Sequence, residues 1–129
     1  PKDIEGVTLV DKETLFKEAD IITLHIALNN DTRNFVSAKE INLMKKTAVI
    51  VNAARGPIVN AHDVAEALKE ERIAGAAMDV YDTEHPLAED NPLLSAPNTM
   101  LLPHIGFATE EAFALRLGIV VRNVERYLS

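Results

Sequence analysis

The 129 residues are 47% hydrophobic and 26% charged, an ordinary globular balance with enough apolar material for one domain and its core. The 20 acidic side chains outweigh the 13 basic ones to leave a formal charge of −7, and without a basic stripe this excludes a nucleic-acid partner. Cysteine is absent, the opening Pro1-Lys2-Asp3-Ile4-Glu5 reads as neither signal nor transit peptide, and no apolar run nears the roughly 20 residues that cross a bilayer, so a soluble cytoplasmic protein without a membrane partner is expected.

Short apolar runs alternate with helical patterns, as in βαβ units around a parallel sheet. Val7–Val10 reads as a short strand, and Asp11 as the cap of a helix with Leu15, Phe16 and Ala19 on its apolar face. Ile21–Leu28 is a near-continuous apolar run, expected of a parallel strand buried on both faces. Asn29–Thr32 is turn chemistry. Ser37 and Glu40 form a capping box ahead of Ile41, Leu43 and Met44, and Lys45-Lys46 suits a helix C-terminus. Ala48–Ala54 is the next strand, broken by a tight turn at Gly56-Pro57.

Asn60 and Asp63 open a helix that turns Val64, Ala67 and Leu68 inward. Ile73–Val80 is a further strand, whose small Gly75, Ala76 and Ala77 predict a close neighbour. Thr83–Asn98 is a polar loop with three prolines, followed by the strand Thr99–Leu102. Thr109 caps a terminal helix with Phe113, Leu117, Val120, Val124 and Leu128 on one face. The pattern is the later half of a Rossmann-like, doubly wound parallel sheet, in one partial domain spanning 1–129. The five glycines are too dispersed to make a G-x-G-x-x-G turn, so the glycine-rich first half is absent from the sequence. A chain starting at Pro1 reads as one joined in mid-domain, a fragment not expected to be active alone.

Three strand ends carry unusual polar residues. In Asn52-Ala53-Ala54-Arg55-Gly56-Pro57 a guanidinium ends a buried strand, where its planar fork suits a carboxylate ligand; an ordinary surface arginine is the alternative. In Met78-Asp79-Val80-Tyr81-Asp82-Thr83-Glu84, Asp79 could accept a hydrogen bond from a ligand amide; in isolation these acids read as solvated loop residues. In Pro103-His104-Ile105-Gly106-Phe107, a histidine suited to proton exchange near neutral pH follows a proline. Successive strand ends can bring Arg, Glu and His to one crevice. His25, His62 and His85 are assigned no catalytic role, and no metal-ligand spacing is present.

The runs Ala19–His25, Leu43-Met44-Lys45, Val51–Gly56, Ala74–Val80 and Pro103–Gly106 resemble, in order and spacing, the D-isomer-specific 2-hydroxyacid dehydrogenases. That family includes the phosphoglycerate, D-lactate, glyoxylate/hydroxypyruvate and formate dehydrogenases. The resemblance implies an oxidoreductase exchanging a hydride between NAD(H) and a 2-keto/2-hydroxy acid pair, as a homodimer in the complete protein. It casts Arg55 as the anchor of the substrate carboxylate, His104 as the general acid/base and Glu84 as its partner. Implied cofactor contacts are Ile26, Ala53, Ala54, Arg55, Asp79, His104, Ile105, Gly106 and Phe107. Ala27, Glu71 and His85 depart from the family pattern, which usually has proline, glycine and no inserted residue at these places. A non-catalytic, NAD-sensing corepressor-like relative and a structural dimerising domain are the alternatives. The sequence names neither the hydroxy acid nor a preference for NAD over NADP.

Overall fold

Four parallel strands, β1 (Ile21–Leu24), β2 (Val49–Asn52), β3 (Gly75–Met78) and β4 (Thr99–Leu101), lie side by side in chain order. The computed structural model describes residues 4–84 and 87–129. Residues 1–3, His85 and Pro86 lie outside the described residues, and with them the reading of the extreme N-terminus and of His85. Right-handed crossovers in a sheet of sequential order place all connections on the same face. That face carries α2 (Ala38–Ile41), α3 (Ala61–Lys69) and a 3₁₀ turn at Pro92–Ser95, which pack on one another.

The core lies between these connections and the sheet. Ile22, Leu24, Ile50, Asn52 and Met78 are buried from the sheet side, and Ile41, Ile58, Val64 and Leu68 from the other. Alternate residues behave differently: Ile21 is 68% exposed and Met100 62%. The edge strands β1 and β4 are therefore exposed on one face, which corrects the expectation that Ile21–Leu28 is buried on both, while Gly75 of β3 is buried on that face too.

The helix starts follow local chemistry. Asp11 accepts the Thr14 N–H at 2.8 Å and opens α1 (Lys12–Glu18), which seats a fully buried Phe16. Burying such a side chain contributes about 1.5–3 kcal/mol. Leu15, expected on the apolar face, is exposed because a helix of two turns presents only one stripe to the core. At α2 the Glu40 carboxylate accepts both the Ser37 backbone N–H (3.1 Å) and its hydroxyl (2.7 Å). Lys12 reaches the same carboxylate at 2.9 Å. α2 is a single turn, so Leu43 and Met44 follow it rather than belong to it, and Lys45 pairs with Asp20 at 2.8 Å. Asn60 accepts the Asp63 N–H at 3.1 Å to start α3. The exit of α3 places Glu71 at φ 54, a left-handed position where glycine would be unstrained.

Two further expectations change, while the terminal helix forms as expected. Val7–Val10 forms no strand: its residues are exposed, and no neighbouring chain among the described residues offers the ladder a strand requires. The loop after β3 is not simply polar, because its 3₁₀ turn buries Leu93 and Ala96 against α3. The terminal helix α4 (Glu110–Leu128) is capped by Thr109, which accepts the Ala112 N–H at 3.1 Å. Its apolar stripe is nevertheless exposed from Phe113 (55%) to Leu128 (77%). Among the described residues no helix is long and apolar enough to cross a membrane.

Candidate active site at the carboxyl edge of the sheet

In a parallel sheet the residues after each strand gather at one edge. β2 reaches it at Asn52, which is 1% exposed and fully engaged. Its Nδ2 donates to the Arg55 carbonyl at 3.0 Å and its Oδ1 accepts the Ala54 N–H at 3.1 Å. The amide side chain thus curls Ala53–Arg55 into a fixed loop. Arg55 itself is exposed, and its Nη1 donates to the Ala54 carbonyl at 2.6 Å. Between the ends of β1 and β2 lies an open crevice of about 680 Å³, lined by residues 25–28 and Ala53–Arg55. His25 sits here, just past β1 rather than inside it, with Nε2 2.9 Å from Thr23 Oγ1.

Gly56 follows, and its neighbour is unusual. A Cβ built on Gly56 would lie 2.0 Å from the Tyr81 carbonyl carbon and 2.2 Å from its oxygen. The glycine is required by the close approach of two backbones, at the join between the loops after β2 and β3. Tyr81 binds the next pair of strands: its hydroxyl donates toward the carbonyls of Met78 (3.0 Å) and Leu102 (2.9 Å). Burial pushes the Tyr81 phenol up from its ordinary value, with the Asp79 and Glu84 charges adding to the rise, so it remains a donor at neutral pH.

Glu84 and His104 meet. His104 Nδ1 lies 2.6 Å from Glu84 Oε2, and the other carboxylate oxygen accepts the Tyr81 N–H at 3.1 Å. Both side chains are partly buried, at 35% exposure for the histidine and 24% for the glutamate, beside a mostly apolar cavity of about 360 Å³. Asp79 is 6% exposed, and its two oxygens accept the N–H groups of Ile105 and Gly106, each at 2.8 Å. Its own N–H donates to the Asn52 carbonyl at 3.0 Å, extending the β2–β3 ladder by one rung. His104 is held at φ 57. A non-glycine residue there costs on the order of 1–3 kcal/mol. Two charge-assisted bonds to the following residues, each contributing about 1.5–3 kcal/mol, outweigh it.

The structure thus joins Glu84 with His104, and Asp79 with Ile105 and Gly106. It does not place Arg55 in the same cavity. Arg55 lines the crevice at β1–β2, while Glu84 and His104 line the cavity at β3–β4. Phe107 stacks edge-on with His104 at 6.4 Å between ring centres. His62 is exposed on α3 and lines a further cavity of about 500 Å³ with Asn52, Gly56 and Tyr81. Sequence reasoning passed over Asn52 and Tyr81. An asparagine closing an apolar strand directly before Ala-Ala-Arg-Gly was the available signal for the first; nothing local signals the second.

A four-stranded parallel sheet with polar residues gathered at its carboxyl edge defines a Rossmann-like α/β domain. The chain belongs to the D-isomer specific 2-hydroxyacid dehydrogenase family, matching its NAD binding domain over residues 1–106. It is 44% identical to the D-3-phosphoglycerate dehydrogenase of Methanocaldococcus jannaschii, over 99% of this chain and 25% of the relative. Among solved structures, a D-lactate dehydrogenase from Sporolactobacillus sp. superposes with a TM-score of 0.86 at 35% identity, over 95% of this chain and 40% of that one. An acyclic imino acid reductase, solved with NADPH and D-Arg, also reaches 0.86 at 33% identity, over 98% of this chain and 40% of that one. The chain thus spans between a quarter and two-fifths of these relatives.

The crevice suits the cofactor of that family. Its walls at Ala27, Ala53 and Ala54 are small enough for a flat ring to approach backbone, and Arg55 is the cation at its rim. Among the described residues no cluster of three His, Asp or Glu side chains could hold a metal ion.

Proposed function

We propose that the protein containing this chain is an NAD(H)-dependent oxidoreductase for a 2-keto/D-2-hydroxy acid pair, and that this chain supplies its proton-handling and carboxylate-binding side chains as part of the NAD-binding domain. The observation that carries the reading is the 2.6 Å contact between His104 Nδ1 and Glu84 Oε2. A carboxylate on Nδ1 fixes the tautomer and orientation of the ring and leaves Nε2 for the substrate oxygen. During reduction His104 donates its proton to the carbonyl oxygen; during oxidation it takes the hydroxyl proton back. Glu84 stabilises the charged imidazolium that alternates with the neutral ring. Arg55 leaves the Ala54 carbonyl and grips the substrate carboxylate with two parallel N–H bonds, which orients the keto carbon. Ile26, Ala53, Ala54 and Asp79 would hold the nicotinamide ring and its amide. NAD(H), when bound, supplies or accepts the hydride.

The test is turnover by the complete protein. Pyruvate, hydroxypyruvate and its phosphate ester should be offered with NADH and with NADPH, each with and without an amine, because one relative is an imino acid reductase. Substrate-dependent NADH oxidation that His104→Gln depresses in both directions is expected. Tight NADH binding without turnover of any of these substrates would overturn the catalytic reading in favour of a sensing role.

A further inference from the structure

The two Asp79 carboxylate oxygens accept hydrogen bonds from the backbone just beyond His104. The carboxylate is 6% exposed and takes the consecutive N–H groups of Ile105 and Gly106 at 2.8 Å each. His104, the residue before them, is in the left-handed region at φ 57. Glycine follows at 106 because a Cβ there would come within 2.9 Å of Asp79 Oδ2. Asp79 is itself held to β2 through its N–H and the Asn52 carbonyl at 3.0 Å.

We propose that Asp79 is the positioning residue of His104: its carboxylate clamps the turn after the histidine and so sets the angle at which the imidazole meets Glu84 on one side and the substrate on the other. The inference deepens the reading of His104 given above and rests on it. Rotation of the turn about φ of His104 would swing the ring, and the Glu84 contact holds only one of its nitrogens. Both restraints are needed to aim the other nitrogen.

Two variants of the complete protein test it, Asp79→Asn and Gly106→Ala. The amide that replaces the carboxylate in the first can accept at one atom only, so one N–H bond is lost; the methyl added in the second presses on the carboxylate directly. Both should lower kcat by on the order of 10- to 100-fold, the scale of a misplaced reacting group, with the larger part of the loss in kcat rather than in KM for NADH. The loss should be the same with the reduced 3-acetylpyridine analogue of NADH, which has no carboxamide N–H for Asp79 to bind. In both variants the downfield proton resonance of the short His104–Glu84 hydrogen bond should move or vanish, with circular dichroism reporting a retained fold. A loss confined to natural NADH, appearing mainly in KM and leaving that resonance in place, would overturn the proposal and leave Asp79 as a cofactor contact alone. Should the parent protein turn over no keto acid, the resonance still decides the clamp: movement in both variants upholds it, and an unchanged signal refutes it.

Discussion

Replacing Gly56 with alanine should damage stability and activity together, and the structure sets the scale. The added Cβ would lie 2.0 Å from the Tyr81 carbonyl carbon, 2.2 Å from its oxygen and 2.5 Å from its Cα. Non-bonded carbons rest at about 3.5 Å, so the loops after β2 and β3 must part by roughly 1.5 Å. Neither moves freely. The Gly56 turn is tied by Asn34 N–H to the Pro57 carbonyl (2.8 Å), Val36 N–H to the Ile58 carbonyl (3.0 Å) and Asn52 Nδ2 to the Arg55 carbonyl (3.0 Å). Each such bond contributes about 1 kcal/mol net, and overpacking a closed site costs about 1–3 kcal/mol, so a loss of about 3 kcal/mol is expected. The displaced Arg55 would lower kcat/KM by on the order of 10²-fold in molecules that still fold. Urea midpoints and steady-state kinetics of the complete protein measure the two effects. A variant within about 0.5 kcal/mol of the parent, the range of a neutral surface change, with normal kinetics would refute the reasoning.

Arg55→Lys keeps the charge but loses the planar grip, and should reduce kcat/KM by on the order of 10²-fold, or roughly 3 kcal/mol of transition-state binding; near-normal efficiency would show that Arg55 only borders the site. Glu71→Gly should raise stability by about 1 kcal/mol, because the residue sits at φ 54 on an exposed helix exit; the urea midpoint reads it, and a decrease would contradict the strain argument. At Glu40, burial pushes the carboxyl pKa up, but the bonds from Lys12 and Ser37 outweigh it and hold the carboxyl below its ordinary value. A depressed value means that the contribution is present above the unfolded pKa and lost as pH falls through the folded one. Denaturation midpoints of the parent and of Glu40→Gln should therefore converge on acidification from about pH 6 to about pH 3, and parallel curves would remove the linkage.

Much of the chain could be read directly, because the interactions concerned span three or four residues. The caps at Asp11, Asn60 and Thr109 each close onto a backbone N–H three residues ahead, so side-chain type and spacing suffice to mark a helix start. Strand ends carrying Arg55, Asp79 and His104 were visible for the same reason: polar residues terminate apolar runs. What lay beyond local reading depends on which strand adjoins which. Asp79 reaches partners 26 and 27 residues away, and Glu84 meets His104 across 20. Gly56 looked like a turn former and proved to be a gap for the Tyr81 backbone. Apolar composition alone could not say that β1 would be buried on one face only, or that the α4 stripe would find no partner among the described residues, since burial belongs to the neighbour and not to the residue. Sequence determined the helix starts and the chemistry at the strand ends; the order of the strands decided which of those side chains share an edge, because only the packed sheet brings distant backbones within hydrogen-bond reach.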